Sequence, residues 1–455
     1  MRKTLLTSAL ATLLGLTPTD ASSQSLSAKG SCSIRCADGS MQAWGNNGSG
    51  ELGTGDYFSW NVPVGVDVPP TVTAIAAGGL AHSAVITATN TLWTWGFNFH
   101  GQLGNGNTMD NAVPAEVLTD VVAAATGNFH TLAVRSNGTV WASGINSAGS
   151  LGTGDLASSN TFVQAVITDV VAVGAGLENS VALKNDGTVW AWGLNNYGQL
   201  GNGVGPSSSL PVQVPVTDVV AIASGRHHVL LLRNDGTVWS FGANLYGGLG
   251  HGTTGLSGTP APVVGLTDVV RISAGEFQSM AIKADGTLWA WGRNAQGQLG
   301  IGSVEDTPLP VQVTALPSVA EVSSGVFLGM ALTTTGTIWT WGEGISGGLG
   351  NGTNATSTVP VQVTLACAVG TAVPEVALVP EMTIGPNPTT GQVAVHTPFT
   401  SPLPVRITDL QGRTVQATTV THQHASVDLS ALRPGLYLLT VLSPVGPHVL
   451  QVVKE

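Results

Sequence analysis

Three histidines stand at one recurring position: His82, His130 and His228 each follow a glycine by three residues. An imidazole so placed could ligate a metal or move a proton near neutral pH. The matching places elsewhere hold Asn179, Gln278 and Leu328. The position therefore does not demand an imidazole, and these side chains are expected to hydrogen-bond inside their own repeats. Asp56, Asp110 and Asp155 follow Leu-Gly-x-Gly segments and raise calcium as a ligand, but a calcium loop needs a dense set of oxygen ligands that these loops lack. The glycine-rich loops also lack the lysine and following helix of a phosphate cradle, and no His-Glu-x-x-His or paired-cysteine metal spacing occurs. The expectation is no catalytic residue, no metal and no cofactor.

Aromatic side chains in loops are the stronger candidates. The loop GDYFSWNV, residues 55–62, holds Tyr57, Phe58 and Trp60 where a sister segment, 206–209, is small and polar. The loop FNFH supplies Phe97, Phe99 and His100, and Tyr197 and Tyr246 occupy the place of His100. Exposed rings on rigid loops anchor protein partners and sugars. These residues form the candidate ligand-binding set; the competing reading is that they cover the fold or pack under neighbouring loops.

The elements that position them repeat. The glycine closing each Trp-Gly-type phrase falls at Gly45, Gly96, Gly144, Gly193, Gly242, Gly292 and Gly342, a period of about 50 residues, which means a solenoid, propeller or array. In one unit, extended runs at Pro211–Pro215, Val219–Ala223, His228–Arg233 and Thr237–Gly242 read as four strands. The Asp235-Gly236 pair between the last two predicts a two-residue type I′ hairpin, and it recurs as Asp38-Gly39, Asn137-Gly138, Asp186-Gly187 and Asp285-Gly286. Four-stranded antiparallel units repeated radially make a β-propeller. Of the 12 tryptophans, all but Trp60 fall at the end of a unit, where rings can fill the space between blades.

Composition agrees. A chain of 455 residues with 60 glycines and 9% charged residues is repetitive and turn-rich. Its formal net charge of -11 repels phosphate backbones and anionic lipid, so nucleic acid is excluded as a partner. Arg2 and Lys3 precede an apolar run from Leu5 to Leu16, the form of a secretory signal peptide over 1–24. That run is too short to cross a bilayer, and no transmembrane segment is expected.

The string Asp-Gly-Thr, Trp-Ala-Trp-Gly, Asn, Gly-Gln-Leu-Gly, seen for example from Asp186 to Gly201, resembles the regulator of chromosome condensation repeat, which builds seven-bladed propellers. It covers residues 25–370. The founder of that family is a nucleotide exchange factor that binds chromatin, and neither role fits an exported acidic chain. Another propeller of this fold is a secreted bacterial inhibitor of β-lactamase, so the resemblance implies that a propeller face can hold a protein. The chain enters and leaves the repeats at half-units, and the two halves are expected to complete one shared blade. Cys32, Cys36 and Cys367 lie in these end segments, so Cys367 is expected to pair with Cys36 or with Cys32, leaving one thiol over. A Cys32–Cys36 bridge is disfavoured because an extended strand holds their Cα atoms about 13 Å apart.

After a linker over 371–381 the text changes. Short strands around Gly391, Gly412, Gly435 and Gly446 read as a small β-sandwich, immunoglobulin-like, over 382–455. Pro386, Asn387, Pro388 and Gly391, then Asp409, Gly412 and Arg413, then Gly435 and Tyr437 resemble the C-terminal sorting domain of the bacterial type IX secretion system. Gly385 departs from it, since the family carries an aromatic residue there. The resemblance implies that the secretion machinery is a partner, and that the protein is released or held at the outer cell surface. The fold class is thus all-β, a seven-bladed propeller followed by a sandwich. The leading function is non-enzymatic binding of an extracellular protein or glycan. A polysaccharide-acting enzyme with a central site and an adhesive structural protein are the alternatives.

Overall fold

The computed structural model describes residues 26–369 apart from 29–30, 69–70, 77–81 and 368, and residues 383–454 apart from 386–388, 397–402, 409–413, 421–423 and 444–445. The expected leader and linker, and the sorting-motif residues Pro386, Asn387, Pro388, Asp409, Gly412 and Arg413, lie outside the described residues. Two compact units emerge, 1–372 and 373–455.

The first unit contains seven four-stranded antiparallel sheets. The first strands of the sheets are Leu26–Ala28, Val72–Ala76, Val121–Thr126, Val170–Ala175, Val219–Ser224, Val269–Ala274 and Val319–Ser324. Each touches the first strand of the next sheet, and the seventh touches the first, so the ring closes. The fourth strands, such as Ser159–Gln164 and Ser208–Gln213, are half-exposed along their length and form the rim. A proline sits mid-strand in six of them, at Pro63, Pro114, Pro211, Pro260, Pro310 and Pro360, where its missing N–H blunts an open edge.

This phasing corrects the sequence reading. The run at Pro211 pairs with Val189–Gly193 and is the outer strand of the preceding blade; the fourth strand of the next blade is Ser257–Pro262. A periodic string has no intrinsic starting point, so its cut cannot be read from it. The shared blade falls with the cut: blade 1 is wholly N-terminal, from Leu26–Ala28 to Trp60–Val66, and blade 7 is wholly C-terminal, from Val319–Ser324 to Ser357–Val363. The two are joined by a Cys36–Cys367 disulfide, leaving Cys32 as a buried thiol. Trp44 Nε1 also donates to Gly348 O at 3.2 Å, and Gly352 N to Asn61 O at 2.8 Å.

The hairpins differ from type I′ as well. Gly138 and Gly187 have φ of 78° and 79°, but Asn137 and Asp186 do not have positive φ. Arg135 N donates to Thr139 O and Gly138 N to Arg135 O, a three-residue loop with a left-handed glycine closing a bulge. The Asp186 carboxylate instead accepts from Thr188 N and Oγ1 at 3.0 and 2.6 Å, and these hydrogen bonds hold it below the usual carboxylate range. Asn90, φ 58°, takes the glycine's place in blade 2.

In the second unit, Thr383–Gly385, Gln392–His396 and His424–Asp428 form one sheet, and Thr414–Val420, Leu403–Thr408, Gly435–Ser443 and Gly446–Lys454 form another. Val393, Val395 and Val427 of the first share a buried cluster with Val405, Ile407, Leu439 and Val452 of the second. Gly391 O accepts from Leu429 N at 2.6 Å, Gly435 opens its strand, and Tyr437 Oη donates to Arg433 O at 2.9 Å.

Candidate binding face

In an up-and-down sheet, the connections between strands one and two and between three and four share one end of the blade, and the hairpins lie at the other. The loop-bearing face is built rigidly. Six of the seven long loops after a third strand are organised by a buried asparagine, with Gly344 at that place in blade 7: Asn146 Oδ1 accepts from Leu151 N at 2.9 Å while its Nδ2 donates to Asp155 O and Ala157 O. Asn47, Asn98, Asn195, Asn244 and Asn294 repeat the arrangement. Asp56 and Asp155 serve these loops as acceptors for Phe58 N and Ala157 N, and Asp110 for Asn98 N. Among the described residues no group of three His, Cys, Asp or Glu could hold a metal.

Neighbouring blades are stapled by a tryptophan near the end of the third strand in five of the seven blades, with Phe241 in its place in blade 5. Trp95 Nε1 donates to Glu51 O, Trp192 to Ser150 O, Trp291 to Gly248 O and Trp341 to Gln298 O, each at 2.9 Å and each into the preceding blade. The loop glycine beneath is required, because a Cβ on Gly152, at φ 70°, would lie 2.8 Å from Trp192 Nε1. In blade 3 the ring is replaced by Ser143, whose Oγ donates to the same kind of acceptor, Gln102 O, at 3.1 Å. Phe162 fills the vacated space, sitting against Gly104 where a sister rim strand has its proline. The lost ring and the lost proline are thus one compensated change.

The recurring histidines staple blades too. His82 Nε2 contacts Thr131 Oγ1, His130 Nε2 contacts Ser180 Oγ and His228 Nε2 contacts Ser279 Oγ, at 2.9, 2.9 and 3.0 Å. These partners belong to the next blade, so the expectation of bonding within one repeat is wrong. A strand-two side chain at the ring's inner wall faces its neighbour more closely than its own sheet. Gln278 reaches across in the same way, to Gly325 O at 2.8 Å. Burial pushes His82 down to about 3 and His130 to about 4. Because the unfolded chain takes up protons first, near pH 6.5, stability is full above that pH and falls as pH drops from 6.5 towards 4, by about 1.4 kcal/mol per unit for each histidine. A His130→Gln variant, which mimics blade 6, is expected to flatten that slope in urea titrations at pH 7, 6, 5 and 4; an unaltered slope refutes it.

One Gly-x-Ser-x-Gly spacing occurs, from Gly344 to Gly348, with Ser346 at φ 56°. It is no nucleophile elbow, since the chain passes into the glycine loop and the rim strand Ser357–Val363 where an elbow requires a helix.

The candidate aromatics occupy the loop-bearing face and its rim. Phe58 and Phe99 are 73% and 70% exposed, Tyr57 53%, Tyr197 45% and Trp60 38%; Phe97, His100 and Tyr246 are half-buried. The structure joins some of them to residues that the sequence reading omits. His100 packs edge-on between Phe99 and Phe129, at 5.2 and 4.9 Å. Tyr197 meets His227 at 5.1 Å, and Tyr246 meets Phe277 at 5.2 Å. Arg226 lies 5.9 Å from the Phe277 centroid and pairs with the buried Glu276, and burial and Arg226 push His227 down to about 4. Arg293 stands over Tyr246, Phe277 and Phe327. A sequence signal existed: Phe129, Glu178, His227, Phe277 and Phe327 all sit two residues after the glycine that precedes the second strand.

Towards the hairpin end, a tryptophan early in the third strand lies under a cation in blades 3 to 6, as Trp141 does 4.2 Å from Arg135 and Trp190 does 5.2 Å from Lys184. Its indole donates to the hairpin threonine, Trp190 to Thr188 Oγ1 at 3.3 Å.

A closed ring of seven four-stranded blades, stapled by tryptophan and fronted by rigid loops, defines a seven-bladed β-propeller. The family described as the RCC1-like domain matches residues 18–270 and 118–425, and the chain belongs to that family. Prp20p from Saccharomyces cerevisiae is similar in structure, with a TM-score of 0.67 and 24% identity over 77% of this chain and 90% of that one. Human WBSCR16 gives 0.65 and 22% over 72% and 94%. Both likenesses concern the fold. In sequence, the chain is 33% identical over 87 residues to the ultraviolet-B receptor UVR8 of Arabidopsis thaliana, spanning 19% of this chain and 20% of that protein. It is 37% identical over 84 residues to the human E3 ubiquitin-protein ligase HERC2, spanning 17% and 2%. The chain thus matches about a fifth or less of the length of these curated relatives.

Proposed function

We propose that this protein is an exported, non-enzymatic binding module whose propeller presents one loop-bearing face to an extracellular partner. The observation that carries the reading is the concentration of rings and cations on loops of that face. Phe99, His100 and Phe129, then Tyr197 and His227, then Tyr246, Phe277, Arg293 and Phe327 follow one another around the blades. Such side chains bind with little loss of conformational freedom when buried asparagines already fix their loops. The more exposed Tyr57, Phe58 and Trp60 extend the same set towards the rim of blade 1.

Export rests on the charged and apolar leader and on the tail's resemblance to a type IX sorting domain, for which an immunoglobulin-like sandwich is the proposed architecture. The shared core of its two sheets supports that architecture. In this reading the tail engages the secretion machinery and the propeller is the cargo.

The test is capture of purified secreted proteins and surface glycans by the full chain, beside a variant with Tyr57, Phe58, Trp60, Phe97 and Phe99 changed to alanine. At least one ligand is expected to be held by the parent and lost from the equally folded variant. Retention of every captured ligand, or capture of none, removes the proposed face. Expression in a type IX-competent bacterium with and without 373–455 checks export in parallel, where equal appearance outside the cell sinks the sorting role.

A further inference from the structure

Arg293 follows the third strand of blade 6, Leu288–Gly292. Its guanidinium lies 4.8 Å from the ring centroid of Tyr246 in blade 5, 5.5 Å from Phe277 in blade 6 and 5.2 Å from Phe327 in blade 7. Its Nε is buried without a hydrogen-bond partner. Among the described residues the ion pairs join Arg226 to Glu276 and Arg233 to Asp218 and Asp235, and none involves Arg293.

The neighbouring guanidinium shows what this cluster accepts. Arg226, 5.9 Å from the centroid of the same Phe277 ring, holds the carboxylate of Glu276, whose side chain is only 7% exposed. One of the two arginines within 6 Å of Phe277 therefore carries a protein carboxylate and the other does not.

We propose that Arg293, framed by Tyr246, Phe277 and Phe327, receives an aspartate or glutamate side chain from an acidic segment of a partner protein. This rests on the binding-platform reading and names the chemistry of its partner. A guanidinium presents a planar fork matched to a carboxylate. Three rings from three blades already hold this fork in place, so little side-chain freedom is lost on binding. The surrounding chain carries a net charge of -11, so attraction is local to the cluster and selects an acidic segment that can place one carboxylate there. Tyr246 offers one face to Arg293 and meets Phe277 at an interplanar angle of 71°, an arrangement suited to an ionic contact walled by rings rather than to flat stacking of a sugar.

The experiment uses the full chain and a fluorescent oligoglutamate peptide at low salt, with polygalacturonate as an acidic glycan and oligolysine as a control. The peptide is expected to bind, with affinity falling at least tenfold in Arg293→Ala and severalfold in Arg293→Lys, which keeps the charge but not the fork. Glu276→Gln frees Arg226 and is expected to tighten binding. Thermal melts identify any variant that has lost its fold; the Glu276→Gln gain does not depend on removing a packed residue. Unchanged peptide affinity in folded Arg293→Ala overturns the proposal, as does absence of peptide binding or tighter binding of polygalacturonate through the same arginine. If the alanine set of the preceding section loses its ligand while Arg293→Ala keeps peptide affinity, the platform stands and this inference alone falls.

Discussion

Changing Cys36 to serine lowers the stability of the propeller by several kcal/mol and separates blade 1 from blade 7 before the other blades open. The Cys36–Cys367 bridge closes a loop with a sequence separation of 331. Chain-entropy arguments put the contribution of so long a loop near the upper end of the range, about 5 kcal/mol. No strand is exchanged across the closure, since each of the two end blades is complete in itself. What remains there after loss of the bridge is a buried apolar cluster that joins Leu26, Ile34 and Trp44 of blade 1 to Leu328, Met330 and Leu332 of blade 7, with neutral hydrogen bonds such as Trp44 to Gly348 O and Asn61 Nδ2 to Gly352 O, each contributing about 1 kcal/mol net. The first strand, Leu26–Ala28, is also short, although Ala28 N reaches Ser323 Oγ in blade 7 at 3.1 Å. Urea unfolding of the parent, Cys36→Ser and the reduced parent measures the effect. Coincident midpoints would show that packing alone closes the ring. Cys32, fully buried with its thiol pushed up by burial, is expected to label with alkylating reagent only after unfolding.

Trp192→Ala costs about 3–5 kcal/mol, the range for removing a large buried ring. The side chain is completely buried, and it belongs to an inter-blade cluster with Leu132, Val134, Leu151 and Ala182. The substitution opens a cavity between blades 3 and 4 and leaves Ser150 O without the indole donor, although Ser180 Oγ still donates to it at 2.7 Å. Trp190→Ala, two residues away on the same side of the strand but nearer the hairpin and packed only at the edge of the same cluster, is the internal comparison. That ring is half-exposed beneath Lys184, so its loss costs a smaller amount, about 1–2 kcal/mol. Thermal or urea melts of the two variants decide the matter, and equal destabilisation would falsify the assignment of inter-blade stapling to the buried member of the pair. Blade 3 shows that the role can be redistributed: Ser143 keeps the hydrogen bond and Phe162 supplies the bulk.

Repeat number, strand count, all-β class and the site of the turns were legible in the sequence because local patterns cause them. Apolar alternation, the left-handed glycine of six of the seven hairpins and the tryptophan at each third strand act within a few residues of where they are written. Details that depend on which element meets which were not legible. The hairpin became a three-residue loop because Asp186 and its equivalents satisfy threonine donors at negative φ instead of adopting the left-handed conformation. His82 and His130 bond outward to the next blade because the packing of one blade on the next puts Thr131 and Ser180 2.9 Å from their Nε2 atoms.

The candidate site divides along the same line. The sequence by itself marked Tyr57, Phe58, Trp60, Phe97, Phe99, His100, Tyr197 and Tyr246, since rings in glycine loops stand out against small polar sister positions. It could not join them to Arg226, His227, Phe277, Arg293 and Phe327, which come from other loops and other blades. Nor could it choose between Cys32 and Cys36 for the bridge, because both lie near the ring's closure and only side-chain direction separates them: Cys32 points into the core with Ile34 and Trp44, whereas Cys36 follows the end of the strand Ser31–Arg35. Sequence fixes what is determined by neighbours along the chain. Contacts across blades arise only when about 50 residues of each repeat have folded and the ring has closed, and the tertiary structure alone decides them.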